Sequence, residues 1–309
     1  MGSTARFFVV GGPPGLEQSL RARLTALENH WSRFIETSDI TRANHADGRP
    51  TLVTPDTLLL VDRAITASRL THGWFDPLLL PQLTAAGYDR SFDTITSTDT
   101  LLVATIDCRD GGRRVVVHDW GARCRLITMD ATESTLRIPT SHAFDPGGIG
   151  KGLAADLLLE DALESGASSI MVDLGGDVAF GGTAPAGGWP IAVENPFAPD
   201  HPLCTIRLPW GAVATSSKAR RRWVRGNELQ HHLIDPNTGS PSNSEVVAAT
   251  VVAGTCWLAE ALAKAVVLAG VDAGRDLLES RGLEGLMIDG AGTVHATDTM
   301  ADYVDAAAA

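Results

Sequence analysis

The order of helical and strand-like segments is the strongest constraint on the fold of this 309-residue chain. Residues 5–10 predict a strand, and apolar side chains then recur every three or four residues from Leu16 to Phe34, which predicts a helix. A second helix is predicted from Pro55 to Gly73, and a third follows a glycine-rich turn at 145–152. Helices and strands interleave without strict strand–helix–strand alternation, so we expect an α+β fold with mixed or antiparallel sheets and packed helices.

The remaining segments predict mainly short strands, with two helices and a hairpin at the end. The strand-like runs are 101–106, 113–118, 123–128, 168–176, 189–194, 203–207, 212–215, 229–234 and 246–253. The two helices are predicted at about 255–269 and 271–281, and the hairpin at 285–296. Because no repeat or long linker divides the sequence, we expect residues 1–309 to form a single compact domain, with a disordered tail at about 304–309.

Composition narrows the function classes. The net charge of -12 argues against a protein that binds nucleic-acid phosphates, and 44% hydrophobic residues suffice for a packed core. The four cysteines form no CxxC pair, so we expect reduced thiols and neither a disulfide framework nor a structural zinc site. The N-terminus lacks a signal-peptide pattern, and no apolar window is long enough for a membrane span. We therefore expect a cytoplasmic protein.

The glycine-rich turn Asp145–Gly152 (DPGGIGKG) is the sharpest local motif. Glycines let backbone N–H groups approach a ligand closely, and the start of a helix favours a phosphate. Lys151, one of only three lysines in the chain, would add a positive charge there. The spacing matches neither the Walker A loop nor the dinucleotide-binding glycine pattern. A purely structural turn explains the motif about as well.

Two further motifs carry aromatic and titratable side chains. Residues 74–76 (Trp-Phe-Asp) could form a helix cap and core anchor, or a stacking surface with a carboxylate for a planar ligand. His231 and His232 lie next to each other on a predicted strand, so at most one of them can face a site. The arginine run 220–222 is typical of a solvated face.

Glu260 and Lys264 are four residues apart on the predicted helix 255–269 and therefore share one face. An ordinary ion pair between them is one interpretation. A role for both in a site is the other.

Taken in order, these motifs resemble the FAD:protein FMN transferase (ApbE-like) family. The matching segments are SDITRAN (38–44), GWFDP (73–77), DPGGIGKG (145–152), VDLGGDV (172–178), VATSS (213–217), HHLIDPNTGSP (231–241) and AEALAKA (259–265). Each segment is weak evidence alone, but seven in the family's order make the resemblance specific. It extends from the N-terminus to about residue 270.

The resemblance implies a single ApbE-like domain that binds FAD as substrate with a divalent cation, Mg²⁺. The enzyme would move FMN to a Ser or Thr hydroxyl of an acceptor protein and release AMP. By position, the resemblance assigns the FAD contacts to Met1, Phe34, Trp74, Phe75, Asp76, Asp145, Lys151 and Ile234. It assigns the metal to a backbone oxygen of Gly148 and the carboxylate of Glu260, and it places His232 at the reaction centre. Lys264, on the same helix as Glu260, is the second catalytic candidate.

One departure bears on the metal. The family usually has Asp and Thr at the positions of Glu260 and Lys264. Glu is a plausible oxygen ligand for Mg²⁺, but a lysine ammonium is not a ligand. Either Lys264 pairs with Glu260 and a diphosphate oxygen, partly replacing the metal, or the chain binds FAD but transfers FMN poorly. A Mg²⁺-dependent FAD diphosphatase and a non-catalytic FAD carrier are the alternative functions, and Asp235 competes with His232 as the base.

Overall fold

The computed structural model describes residues 4–92, 95, 123–226 and 228–305. In these residues the helices are α1 (Leu16–Trp31), α2 (Asp39–Asn44), α3 (Pro55–Leu70), α4 (Leu80–Ala85), α5 (Gly150–Glu164), α6 (Cys256–Ala269) and α7 (Val271–Glu279). Two 3₁₀ helices lie at Cys124–Leu126 and Met300–Tyr303. None of the described helices is long and apolar enough to span a lipid bilayer.

The strands before α6 are β1 (Ala5–Gly11), β2 (Thr51–Leu52), β3 (Thr128–Asp130), β4 (Thr135–Arg137), β5 (Ala167–Leu174), β6 (Val178–Gly182), β7 (Trp189–Val193), β8 (Cys204–Leu208), β9 (Gly211–Ser217), β10 (Arg222–Arg225), β11 (Glu228–His231), β12 (Ile234–Asp235), β13 (Ser240–Pro241) and β14 (Val246–Ala253). The last two are β15 (Glu284–Asp289) and β16 (Val294–Ala296).

A seven-stranded antiparallel sheet organises the molecule, in the order β1-β5-β6-β9-β14-β15-β16. The small sheets are β2-β4-β3, β7-β8, β10-β11 and β12-β13. The expected combination of antiparallel sheets and packed helices is confirmed.

Helix α6 packs against this sheet and against α5 because it is apolar on nearly every side. Its neighbour β14, the run VVAATVVA, is also almost fully buried. A side chain at Gly152 would collide with the backbone of α6: a Cβ built there lies 2.6 Å from the carbonyl carbon of Cys256 and 2.7 Å from Trp257 N. The contact between α5 and α6 therefore requires glycine at this position.

Most of the longer predicted elements are confirmed, but several details are wrong. Residues 123–128 form mainly a 3₁₀ helix rather than a strand, and the predicted strand 229–234 is two strands separated at His232 and Leu233. Helix α1 ends at Trp31, so Phe34 follows the helix and is 43% exposed. The sequence interpretation did not include the short helices α2 and α4.

Three expectations concern residues without a description. The predicted strands 101–106 and 113–118 lie outside the described residues, as does residue 1. Of the predicted tail, residues 306–309 also lie outside them.

Candidate functional site

Two clefts meet at the glycine-rich turn. The first, which we call the aromatic cleft, has a volume of about 290 Å³, and its walls include Trp31, Phe34, Tyr88 and Phe92. The second, the sheet cleft, has a volume of about 780 Å³ and lies on the strands β1, β5, β6 and β9 of the large sheet. Six residues line both clefts and define what we call the junction: Phe92, Gly147, Lys151, Arg221, His232 and Lys264.

The backbone before the junction is held by a side chain from the SDITRAN motif. Asn44 Nδ2 donates to Phe144 O at 2.9 Å, and Phe144 N donates to Asn44 Oδ1 at 2.7 Å. Next along the chain, Asp145 N donates to Pro77 O at 2.8 Å, which ties the turn to the GWFDP segment. These bonds fix the start of the turn, and α5 begins five residues later at Gly150.

Asp145 supports the turn and also joins it to an aromatic cluster. Its Oδ1 accepts from Gly147 N at 3.2 Å and lies 3.4 Å from Arg33 Nε. The Arg33 guanidinium stacks on two rings, at 4.3 Å from the centroid of Phe34 and 4.6 Å from that of Tyr88. The exposed Phe34 ring is thus held in position at the mouth of the aromatic cleft.

Lys151 forms the centre of a buried charge cluster. Its ammonium is ion-paired with Asp177 and lies 3.0 Å from Glu260 Oε1. The other oxygen of Glu260 accepts from Gly152 N at 2.7 Å. Both Glu260 oxygens are therefore engaged by groups of α5, and the residue itself is only 4% exposed.

Lys264 stands one turn beyond Glu260 on α6 but is not ion-paired with it. Its Nζ makes no hydrogen bond or ion pair with any residue that the structure describes, and it lies 5.8 Å from the Phe75 ring centroid. A Cβ built on Gly148 would lie only 2.8 Å from Lys264 Nζ, so the ammonium stands directly against the glycine turn. Burial lowers the pKa of Lys264, although Asp145 and Glu260 act in the opposite direction.

The two neighbouring histidines differ sharply. His231 Nδ1 accepts from Leu233 N at 3.2 Å, so its Nε2 carries the proton and donates to Ser242 O at 3.0 Å. Burial lowers the pKa of His231 to about 4, and the side chain braces the bend between β11 and β12. His232 lines the junction instead, and its Nδ1 is buried without a hydrogen-bond partner among the described residues.

Burial and the nearby positive charges of Arg221 and Lys264 lower the pKa of His232 well below 6.5. The imidazole is therefore neutral at pH 7 and able to accept a proton. Asp235, the competing candidate, accepts from Asn237 N at 2.8 Å within a turn and lines neither cleft.

The structure brings most of the remaining candidates near the junction, but not all into the clefts. Phe34, Asp145 and Lys151 line the aromatic cleft, and Gly148 and Glu260 line the sheet cleft. A separate cavity of about 10 Å³ behind Asp145, His232 and Lys264 is lined by four other candidates: Trp74, Phe75, Asp76 and Ile234. Phe75 is 1% exposed, and Asp76 accepts from Leu78 N at 2.9 Å. Met1 lies outside the described residues.

Three residues of the site were not singled out from the sequence. Arg33 orders the aromatic wall, Asp177 binds Lys151, and Arg221 lines both clefts. Two of them lie in segments that the sequence analysis noted: Asp177 in the motif VDLGGDV and Arg221 in the run 220–222. Only the fold distinguishes Arg221 from Arg220, which bonds to Glu194.

The residues at the expected metal position do not fit a divalent cation. Glu260 has both oxygens bonded to Lys151 and Gly152, and the side chain beside the Gly148 turn is an ammonium. No cluster of three or more His, Cys, Asp or Glu side chains in the described part of the chain could hold a metal ion. Mg²⁺ prefers a near-octahedral shell of oxygen atoms, which this donor set does not supply.

Aromatic walls, a glycine turn at a helix start and unpaired cations at one junction are typical of proteins that bind nucleotides. Residues 1–287 match the model of the ApbE family. The chain therefore belongs to the ApbE family.

Curated relatives and solved structures agree with this family. The chain is 27% identical over 277 residues to the FAD:protein FMN transferase of Vibrio cholerae, covering 88% of this chain and 79% of that protein. It is 25% identical over 295 residues to the FAD:protein FMN transferase of Klebsiella pneumoniae, covering 93% and 82%. The crystal structure of the ApbE protein of Thermotoga maritima superposes with a TM-score of 0.81 at 24% identity, covering 98% of this chain and 96% of that one.

Proposed function

We propose that this chain is a FAD:protein FMN transferase, which moves the FMN half of FAD to a Ser or Thr hydroxyl of an acceptor protein and releases AMP. The observation that carries the proposal is the junction, where Lys264, Arg221 and His232 all face the meeting point of two clefts. Membership of the ApbE family and relatives named FAD:protein FMN transferase support the same reaction.

The sizes of the clefts favour a ligand with two separate ring systems. A drug-sized molecule typically fills about 300–1,000 Å³. The aromatic cleft, at about 290 Å³, is too small for a whole dinucleotide, but the sheet cleft adds about 780 Å³. FAD would therefore extend through both clefts, with its diphosphate at the junction and one ring system against Phe34.

The chemistry requires charge neutralisation and a proton acceptor. The acceptor hydroxyl oxygen attacks the phosphorus of the FMN half, a new P–O bond forms, and the bond to the bridging oxygen breaks. AMP leaves with that oxygen, whose developing charge Lys264 and Arg221 would stabilise. The hydroxyl proton would pass to the neutral imidazole of His232.

The test incubates the purified protein with FAD and a candidate acceptor domain. Transfer is expected to give a fluorescent acceptor heavier by one FMN unit, with one AMP released for each adduct. Replacing the acceptor's Ser or Thr by Ala should abolish the adduct. FMN and AMP without an adduct would instead indicate the diphosphatase, and tight FAD binding with neither product would indicate a carrier.

A substitution at the proposed base gives a second test. His232→Asn is expected to slow transfer by about 100-fold or more, because general base catalysis contributes roughly 10²–10⁴-fold. FAD affinity should change little. The matched control is His201→Asn, since His201 is exposed and lines neither cleft. Equal transfer rates for the two variants would remove His232 from the reaction.

A further inference from the structure

Two cations at the junction have no partner in the described part of the chain. Lys264 and Arg221 form no hydrogen bond or ion pair with any residue in the described ranges, yet both line the two clefts. Lys151, by contrast, is neutralised by Asp177 and Glu260. The free positive charge that faces a ligand is therefore carried by Lys264 and Arg221.

The position of Lys264 indicates that its counter-ion comes from a ligand and not from the protein. It is enclosed by the ring of Phe75 on one side and by the Gly148 turn on the other. Asp145, the carboxylate of that turn, is already engaged by Arg33 and by Gly147 N. Enclosing an ammonium without a counter-ion is unfavourable, so the arrangement is explained by an anion that arrives with the ligand.

A divalent metal ion does not fit at this position, beside Glu260 and Lys264. The only candidate carboxylate on this face of α6, Glu260, holds Lys151 and the N-terminal turn of α5 together. Freeing Glu260 for a metal would unpair Lys151 and leave Gly152 N without its acceptor. A divalent cation would also approach the Lys264 ammonium, with which it shares the sign of its charge.

Resting on the proposed function, we infer that the chain binds the diphosphate of its dinucleotide with the side-chain cations Lys264 and Arg221 in place of a divalent metal ion. An ammonium and a guanidinium supply the positive charge, and the glycine turn supplies close approach of the backbone. Binding of the dinucleotide is then independent of Mg²⁺.

The test measures FAD affinity of the metal-stripped protein, from the quenching of flavin fluorescence, in EDTA and in Mg²⁺. The expected dissociation constants agree within about threefold. Lys264→Met and Arg221→Met are each expected to weaken FAD binding by about tenfold to 100-fold, the range for a charge-assisted hydrogen bond. Riboflavin, which has the rings but no phosphate, should bind all these proteins equally. Arg222→Met is the matched control, because Arg222 lines neither cleft.

Two results would overturn the inference: FAD binding at least tenfold weaker in EDTA than in Mg²⁺, or unchanged FAD affinity in folded Lys264→Met protein. Circular dichroism of each variant establishes that it is folded. Failure of the proposed function is distinguishable from failure of this inference. Binding of FAD in EDTA without any transfer would leave the inference standing and refute the transferase. FMN transfer by a protein that binds FAD only in Mg²⁺ would support the transferase and refute the inference.

Discussion

Gly152→Ala tests how closely the site depends on the contact between α5 and α6. The added Cβ would lie 2.6 Å from the carbonyl carbon of Cys256 and 2.7 Å from Trp257 N, both backbone atoms that no rotamer change can move. Ordinary contacts begin near 3.4 Å, so the helices must separate by roughly 1 Å. Because Gly152 N donates to Glu260 at 2.7 Å, the same movement stretches that hydrogen bond.

The expected loss of unfolding free energy in Gly152→Ala has two contributions. Overpacking of a filled interior costs about 1–3 kcal/mol, and weakening a hydrogen bond to a buried charge costs about 1.5–3 kcal/mol. We therefore expect Gly152→Ala to lower the free energy of unfolding by about 3–5 kcal/mol. That is a large part of the roughly 5–15 kcal/mol available to a typical domain.

The control is Gly150→Ala, two residues earlier in the same motif. The nearest atom to a Cβ there is Pro146 Cβ at 3.5 Å, an ordinary contact. This variant should stay within about 1 kcal/mol of the wild type, since Ala replaces Gly at a helical position. Urea denaturation followed by circular dichroism measures both. If Gly152→Ala proves no less stable than Gly150→Ala, the close approach of the two helices is refuted.

Three further predictions concern stability. Since burial lowers the pKa of His231 to about 4 from 6.5, its neutral form stabilises the fold above pH 6.5, and this contribution is lost as the pH falls toward 4. Between pH 7 and pH 5 the wild type should lose about 2 kcal/mol more than His231→Gln in chemical denaturation; parallel pH curves would contradict this. Asn44→Ala removes both hydrogen bonds to the Phe144 backbone and should lower the free energy of unfolding by about 2 kcal/mol, with weaker FAD binding in the fluorescence-quenching titration. An unchanged melting temperature would contradict this prediction. Lys264→Met should raise the free energy of unfolding of the FAD-free protein by roughly 1 kcal/mol or more, because an apolar side chain replaces an ammonium that has no partner among the described residues. A variant that calorimetry shows to be less stable than the wild type would refute this prediction.

The longer elements could be predicted because their sequence patterns match their environments. The run 246–253 is almost entirely apolar and becomes β14 near the centre of the sheet, and the helix at about 255–269 becomes the buried α6. The failures are local. The strand predicted at 229–234 is interrupted because the backbone N–H of Leu233 turns back to His231 Nδ1, a bond that apolar alternation does not encode.

The candidate site was only partly predictable for a related reason. The spacing of Glu260 and Lys264 correctly placed them on one face of a helix, but it left two interpretations open, an ion pair between them or a shared role in a site. In the structure Glu260 binds Lys151, which is 109 residues away in the chain, and Lys264 is left unpaired. The spacing of two residues along a helix shows that they are close together. Which residue each of them pairs with depends on the neighbouring helix, and the sequence pattern does not show which helix that is.

The unpaired Lys264 links the stability of the protein to its function. Two carboxylates already neutralise Lys151, Glu260 on α6 and Asp177 in the turn between β5 and β6, so that lysine joins α5 to α6 and to this turn whether or not a ligand is present. Lys264 has no such partner among the residues that the structure describes, and its enclosure against Phe75 and the Gly148 turn lowers the stability of the ligand-free protein. A bound diphosphate would reverse that effect by supplying the missing negative charge. The same substitution, Lys264→Met, should therefore stabilise the free protein and reduce the stabilisation gained on adding FAD. This opposite response is expected of a ligand-binding cation but not of a lysine that only supports the fold.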